Sequence, residues 1–429
     1  MREVLHITTH MGGGVGKVLS GVAAHAARTG ARYRHRILLL EQPEKMNFID
    51  ACRAEGVEII CGADVSTIES TMRAADIVQL EWWHHPQMAA FLADFPQIDT
   101  HLTLWAHISG CYYPYILPAF LRVPQRFVFT SPYSLDNPYW SAQERRWGRE
   151  NTAVVHSSGG FSAIRPHTER VQDGRFVVGY VGTQSYAKLH PNFVAYCARV
   201  AHITGIEFVL VGDLTNEEAI RTAARAHGIE EKFRFVDYVS DVNAELAQMD
   251  VFGYLLNPTH FGTTENALLE AMAAELPVVV LNQCAEQYLV AQDETGLLVQ
   301  DEEGYRRALE DLFAHPEKRR RLGGAARRRI LRDFSVERTM AQLHEIYDEV
   351  LNETPRRYDF RAALGRTPYE FFLRGLPDEL RSIFVERDSA QEELPPILRE
   401  RSKSSLLHFC RVFPVDEQLR RWREQFCNV

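Results

Sequence analysis

Residues 257–282 read NPTHFGTTENALLEAMAAELPVVVLN, and this stretch decides the predicted fold of the second half of the chain. A turn at its start leads to Thr263 and Thr264, which are candidates for the N-cap of a helix. Apolar residues then recur at helical spacing until Pro277 ends the helix, and the run 278–281 (VVVL) is typical of a buried parallel strand. A loop, a helix start and a buried strand predict an α/β unit whose helix N-terminus can bind an anion.

Two carboxylates in this stretch raise the question of function. Glu265 falls in the predicted first helical turn, where a negative charge favours the helix dipole. Glu270 lies in the second turn of an otherwise apolar helix, and the pattern alone favours a solvated surface residue there. The two residues are five positions apart, about 140° around a helix, so they do not share a face.

The segment ENALLEAMAAELPVVV resembles the signature helix of retaining GT-B-type glycosyltransferases of family 4, the glycosyl transferases group 1. The resemblance implies that Glu270 holds the ribose hydroxyls of a nucleotide sugar. It also implies that the diphosphate binds the first amides of the helix, those of Asn266, Ala267 and Leu268.

The chain departs from the family pattern at two positions. The family's first Glu, separated from the second by seven residues, falls on Gly262, and Glu265 is the nearest carboxylate. We expect Glu265 to act in catalysis in its place, with a helix-dipole role as the alternative. The family's diphosphate-binding Arg falls on Thr183, while Lys188 matches its Lys and is expected to bind the diphosphate. A single lysine neutralises less charge than two cations and lacks the bidentate geometry of arginine.

A glycine-rich loop follows the first predicted strand, in the sequence HMGGGVGK at 10–17. A P-loop is excluded, because Met11 stands where its first Gly is required and Val18 where its Ser or Thr is required. A strand, a glycine turn and a helix start still form a sound diphosphate site. The resemblance implies that the loop lies close to the donor phosphates, through Gly13, Gly14 and Gly16.

His107 follows directly on the predicted strand 102–105. Ligands of doubly wound sheets bind at the carboxyl ends of the strands. The resemblance implies that His107 faces the reacting sugar as a catalytic residue; a structural histidine bonded to a loop carbonyl is the alternative. The aromatic loops 81–85 (EWWHH) and 111–115 (CYYPY) either line an acceptor cleft or form the edge of the core, which is favoured for the first.

Strands alternating with helices predict an α/β protein, and the resemblance specifies the GT-B fold: two Rossmann-like doubly wound domains facing across a cleft, plus a mainly helical C-terminal extension. We expect an N-terminal acceptor domain, a donor domain, a helix that crosses back onto the first domain, and an extension, at 1–163, 164–335, 336–352 and 353–429. The extension either packs on the main body or forms an interface with a second copy or a partner protein.

Composition narrows the class of protein. The formal charge of −9 argues against a nucleic-acid-binding protein. Seven scattered cysteines without a C-x-x-C pair are typical of a cytoplasmic protein with reduced thiols. The sequence shows no signal peptide and no apolar run of membrane-spanning length, so membrane association would be peripheral.

The sequence therefore predicts a glycosyltransferase that moves a sugar from a nucleotide-diphosphate sugar, with a UDP-sugar favoured, and retains the anomeric configuration. The sequence contains no D-x-D pair, so we expect a metal-independent site without metal ligands and without a cofactor beyond the co-substrate. The acceptor stays open among small molecules, polysaccharides, lipid-linked sugars and proteins. The alternative, favoured by Gly262 and Thr183, is a GT-B scaffold or accessory protein that has lost catalysis and binds partners through its C-terminal extension.

Overall fold

The computed structural model describes residues 1–166, 173–239, 241–385, 394–401 and 404–427, so parts of the predicted extension lie outside the described residues. The chain divides into two compact units. The first comprises Met1–Gly159, Phe261–Thr263 and Val336–Val429, and the second comprises Gly160–His260 and Thr264–Ser335. In the described ranges no helix combines the length and the apolar character needed to cross a bilayer.

The first unit is built on a seven-stranded parallel sheet. Its strands are β1 (Arg2–Thr8), β2 (Tyr33–Leu39), β3 (Ile59–Cys61), β4 (Ile77–Trp82), β5 (Leu102–Ala106), β6 (Arg126–Phe129) and β7 (Ala153–Val154). The helices between them are α1 (Gly13–Thr29), α2 (Asn47–Ala54), α3 (Val65–Ala74), α4 (Pro86–Ala93), α5 (Pro118–Leu121) and α6 (Ala142–Asn151). All six residues of β4 are buried, as expected for a strand covered on both faces.

The second unit is built on a six-stranded parallel sheet. Its strands are β8 (Phe176–Val181), β9 (Ile206–Val211), β10 (Phe233–Val236), β11 (Val251–Tyr254), β12 (Val278–Leu281) and β13 (Leu297–Val299). Its helices are α7 (Phe193–Ala198), α8 (Glu217–Ala226), α9 (Asn243–Leu246), α10 (Asn266–Ala273), α11 (Glu286–Leu289), α12 (Glu302–Ala314) and α13 (Pro316–Asp333).

The two sheets share one strand order. It is β3-β2-β1-β4-β5-β6-β7 in the first unit and β10-β9-β8-β11-β12-β13 in the second. In both, the direction of winding reverses between the first and the fourth strand, and ligands of such sheets bind at the carboxyl ends of the strands on either side of that point. The predicted pair of Rossmann-like sheets is confirmed. Ligands are therefore expected at the loops after β1, β4, β8 and β11, which flank the two switch points.

The C-terminal part of the chain packs on the first unit. Its helices are α14 (Val336–Leu351), α15 (Arg361–Leu364), α16 (Pro368–Arg374), α17 (Asp378–Val385), α18 (Pro396–Arg399), α19 (Leu406–Val412) and α20 (Glu417–Cys427). Leu343 and Tyr347 of α14 share a buried cluster with Val4 of β1. Trp422 of α20 is only 4% exposed and contacts Phe372 and Phe384. Phe360 packs against Phe95, and Phe409 of α19 packs against His84. Of the two alternatives for the extension, the structure shows packing on the first unit, whereas a partner interface through it stays a prediction.

One close approach fixes the position of α10, the helix that carries the predicted donor-binding residues. A Cβ atom added to Gly323 of α13 would lie 1.8 Å from the backbone oxygen of Glu275, just after α10. A Cβ atom added to the next residue, Gly324, would meet only the Arg328 side chain, at 3.5 Å. The two glycines are therefore a matched pair with opposite packing requirements.

We expect Gly323→Ala to destabilise the second unit by about 1–3 kcal/mol, because the backbone of α13 must move away from α10. Gly324→Ala should stabilise it by about 0.5–1 kcal/mol, since alanine loses less backbone entropy in a helix. Melting temperatures from differential scanning calorimetry test both. Equal shifts in the two variants would contradict the packing described.

Candidate functional site

The glycine loop after β1 leads directly into α1, as predicted. Gly13 is exposed, has a φ of +60° and begins the helix, and Gly14 is also exposed. A Cβ atom at Gly16 would lie 2.2 Å from the backbone oxygen of Met11, so only glycine lets the first turn approach the loop. The amide of Gly12 donates to Nδ1 of His10 at 3.0 Å. The loop thus presents exposed backbone at a helix start, a geometry suited to an anion.

His107 lies at the carboxyl end of β5, in hydrogen-bond contact with Glu81 of the neighbouring β4. Its Nε2 is 2.6 Å from Oε2 of Glu81, and its ring packs against Trp105 at 4.9 Å between centroids. Glu81 is fully buried, and its other oxygen is 2.7 Å from Nδ1 of His6. The partner of the imidazole is thus a carboxylate rather than a loop carbonyl, and a catalytic role of His107 stays a prediction.

In the second unit, Lys188 and Glu265 join the loops after β8 and β11. Nζ of Lys188 is 3.0 Å from Oε2 of Glu265, and the hydroxyl of Tyr254 donates to the same oxygen at 2.7 Å. The Glu265 side chain has no exposed surface, while that of Lys188 is 22% exposed. Two predicted site residues are therefore in direct contact, and the lysine still reaches solvent.

His260 extends this cluster between two carboxylates. Its Nδ1 lies 3.6 Å from Oε1 of Glu265 and its Nε2 lies 3.2 Å from Oε1 of Glu286, and all three side chains are fully buried. Burial lowers the pKa of His260, but Glu286 and Glu265 outweigh it and raise the pKa well above that of an exposed histidine. Burial raises the pKa of Glu265, yet Lys188 and His260 bring it below its usual value. Two cations thus balance two carboxylates.

Three side chains of this region could hold a metal ion. The ligand atoms of His260, Cys284 and Glu286 lie within 4.8 Å of one another, and all three residues are buried. A histidine with a raised pKa must lose its proton before it can ligate, which opposes metal binding. The expectation of a site without metal ligands stays a prediction.

The start of α10 differs from the prediction. Its N-cap is Glu265 and its first residue is Asn266, so Thr263 and Thr264 are not the cap and Glu265 is not in the first turn. Thr263 instead forms a 2.7 Å hydrogen bond with Thr130. The backbone of Glu265, with φ 13° and ψ 72°, is not helical, and its side chain turns to Lys188 rather than capping the helix.

The remaining predicted donor-binding residues lie on α10 itself. Its first three amides are those of Asn266, Ala267 and Leu268, and the first amides of a helix lack partners within it. Glu270 is half-buried in the second turn. Thr183, which stands in place of an arginine, donates a 2.6 Å hydrogen bond to Asp213 and supplies no charge.

The aromatic loop 81–85 is covered by the C-terminal extension. Trp82, His84 and His85 are each less than 5% exposed. The ring of His408 on α19 lies 4.6 Å from that of His85. Burial lowers the pKa of His84 to about 3, and burial together with nearby His408, His10 and Arg411 lowers the pKa of His85 to about 2, so both are neutral. The favoured interpretation of these side chains as the edge of the core is confirmed.

Most of the second unit is similar to a known protein family. Residues 165–329 match the model of the family described as Glycosyl transferases group 1. Residues 165–329 are therefore similar to a Glycosyl transferases group 1 domain. The match contains Lys188, Glu265 and the whole of α10, and thus every predicted site residue of the second unit.

Curated relatives match this chain only over a fraction of their length. Lipopolysaccharide core biosynthesis glycosyltransferase LpsE of Rhizobium meliloti is 30% identical over 140 residues, covering 32% of this chain and 40% of that protein. The GDP-mannose-dependent alpha-mannosyltransferase of Mycolicibacterium smegmatis is 32% identical over 191 residues, covering 43% and 46%. The chain spans less than half the length of these relatives.

Solved structures match the fold over most of the chain. Anabaena Alr3699/HepE, in complex with UDP and glucose, has a TM-score of 0.64 at 15% identity, covering 81% of this chain and 100% of that one. A glycosyltransferase from Rickettsia africae has a TM-score of 0.64 at 13% identity, covering 82% and 99%. At such identity these structures show the fold alone, and the predicted GT-B fold is confirmed.

Sequence reasoning missed the partners that hold the predicted residues. It named His107, Lys188 and Glu265, but it assigned no role to Glu81 or His260. The available signal was the polar residue within a buried strand: β4 reads IVQLEW, and its Gln and Glu lie two positions apart and therefore on one face. Buried ionisable groups require partners, so such a strand predicts a polar network.

We expect His260 to stay protonated at neutral pH. Because its folded pKa exceeds that of an unfolded histidine, about 6.5, the imidazolium contributes its full stability below that pH and loses it as the pH rises through the folded value. Nitrogen NMR of labelled histidine, with the signal assigned through His260→Gln, measures this. Exposed His227 serves as the reference. A neutral His260 at pH values where His227 is already neutral would refute the charge balance described.

Proposed function

We propose that this chain transfers a sugar from a nucleotide-diphosphate sugar to an acceptor, without a metal ion and with retention of anomeric configuration. The observation that carries the proposal is the contact of Lys188 with Glu265 beside the first amides of α10, at the switch point of the second sheet. A diphosphate is the anion that a helix start and an adjacent lysine suit best.

The electrostatics of the cluster support this role. Departure of the diphosphate leaves negative charge that preorganised donors must stabilise. Glu265 alone would repel that charge, but Lys188 and His260 neutralise it from two sides. The partly exposed ammonium of Lys188 can then contact a phosphate while it remains paired with the carboxylate. Glu265 is proposed to act in catalysis and His107 to face the reacting sugar.

The remaining assignments follow from the same proposal. Glu270 is proposed to hold the ribose and the amides of 266–268 to bind the diphosphate, and Gly13, Gly14 and Gly16 are proposed as further donor-binding residues. A UDP-sugar is the favoured donor, and GDP-mannose, the donor in the name of one relative, is the competing one. The proposed location is the cytoplasm, in keeping with seven cysteines that form no disulfide.

Nucleotide binding and turnover test the function directly. Isothermal titration with UDP, GDP and ADP is expected to show binding of one of them. In a screen of the matching nucleotide sugars, the protein should then release that nucleotide and form a glycosylated product. The anomeric configuration of the product, measured by NMR, should equal that of the donor. If the protein binds none of the three nucleotides, the scaffold alternative is favoured. Binding with an inverted product would contradict retention.

We expect Lys188→Gln to weaken binding of the nucleoside diphosphate about 10- to 100-fold, because a charge-assisted contact to phosphate is worth about 1.5–3 kcal/mol. The matched control is Lys232→Gln, a half-buried lysine of the same unit away from the switch point. Isothermal titration compares the two. Equal affinity in both variants would remove Lys188 from the diphosphate site.

We expect Glu270→Ala to weaken nucleotide binding about 10-fold, because the ribose hydroxyls lose a charged acceptor. His107→Ala should instead lower kcat and leave nucleotide affinity within about twofold. Exposed Glu231, changed to alanine, is the control for Glu270. Unchanged nucleotide affinity in Glu270→Ala would refute the ribose assignment.

A further inference from the structure

Glu81 lies at the centre of the first sheet and accepts three hydrogen bonds. Its Oε1 receives Nδ1 of His6 at 2.7 Å and Nε2 of Gln79 at 2.8 Å, and its Oε2 receives Nε2 of His107 at 2.6 Å. The side chain has no exposed surface. Both oxygens of this carboxylate are thus paired with protein groups, and of those groups His107 stands at the carboxyl end of a strand.

The ionisation of Glu81 determines which nitrogen of His107 carries the proton. Burial raises the pKa of Glu81, but the hydrogen bonds from His107 and His6 outweigh it and hold the pKa at about 2. A carboxylate has no proton to donate, so each histidine must donate to it. His107 therefore carries its proton on Nε2, and in its neutral form Nδ1 presents a lone pair.

Neighbouring groups hold Glu81 and Gln79 in this arrangement. The hydroxyl of Tyr347 on α14 donates to Oε1 of Gln79 at 2.6 Å, which turns the Gln79 amide nitrogen towards Glu81. Nε2 of His6 is 2.7 Å from Nδ1 of His35, whose pKa is well below normal because of burial and the nearby His6 and His344. A network with each member paired fixes both orientation and protonation.

Nε2 of His35 and Nδ1 of His107 both lack a hydrogen-bond partner among the described residues, and Nδ1 of His107 is the one that stands at the carboxyl end of a strand. This nitrogen is buried, and the imidazole is only 4% exposed. A buried polar nitrogen without a partner is costly, and in native sites it marks a missing water or ligand group. Since Nδ1 is an acceptor in the neutral ring, a group that pairs with it must donate a hydrogen bond, as a hydroxyl can.

We propose that Glu81 is a positioning residue that fixes the tautomer of His107 and makes Nδ1 the nitrogen that accepts a hydrogen bond from a sugar hydroxyl. The inference rests on the proposed function for the identity of the hydroxyl. The tautomer itself does not depend on that function. In metal sites, a carboxylate that accepts a hydrogen bond from the far nitrogen of a bound imidazole orients the ring, and its loss costs about 10- to 100-fold in affinity or activity.

The first test uses the full wild-type chain without substrate. Nitrogen NMR of labelled histidine is recorded at a pH above the titration of exposed histidines. It should show His107 protonated at Nε2 and unprotonated at Nδ1. The His107 signal is assigned as the one that His107→Ala lacks. A proton on Nδ1 would overturn the proposal. This result is independent of any transferase activity, so it separates failure of the tautomer assignment from failure of the proposed function.

The second test is Glu81→Gln, in which the amide cannot accept from both histidines in their original tautomers. We expect a population of His107 with the proton on Nδ1, a kcat lowered about 10- to 100-fold and a donor KM within about twofold of wild type. Glu69→Gln of α3, a half-buried residue whose side chain is 42% exposed, is the control and should change none of these. A lowered kcat with the wild-type tautomer would overturn the positioning role. If the variant does not fold, the wild-type spectrum decides.

Discussion

Two fully buried carboxylates, Glu81 in the first unit and Glu265 in the second, constrain the charge and orientation of the side chains around them. An uncompensated charge in the interior costs several kcal/mol, so each must be surrounded by donors or cations. Glu81 meets the requirement with two imidazoles and an amide, and Glu265 with an ammonium, a phenol and an imidazolium. Compensation of these charges orients the same side chains, His107 and Lys188, on which the proposed chemistry depends.

Much of the fold was predictable because parallel strands buried on both faces are nearly continuous apolar runs. The segments around 102–105 and 278–281 became β5 and β12, and the glycine turn before α1 lies where the sequence indicated. His107 and Lys188 were found by resemblance, since each follows a strand at the edge where ligands bind. Hydrophobic periodicity therefore predicted the strands and helices, whereas the resemblance to a known family predicted the site residues.

The rest depended on contacts between residues far apart in sequence. Thr263 has the chemistry of an N-cap, but its hydroxyl bonds to Thr130, and the helix begins only after Glu265. No local rule foretells that Glu265 would turn to Lys188, 77 positions earlier. This contact also places a carboxylate at the start of α10, although Gly262 stands at the position where the resembling family has its first Glu.

The central claim is that a nucleotide-sugar diphosphate binds at the start of α10 beside Lys188. Amide hydrogen exchange of the wild-type protein, measured with and without the nucleotide that binds best, tests it most directly. The account predicts slower exchange at 266–268 and in the loop 183–188 when the nucleotide is bound. Unchanged exchange in both segments, with protection confined to other parts of the second unit, would contradict it.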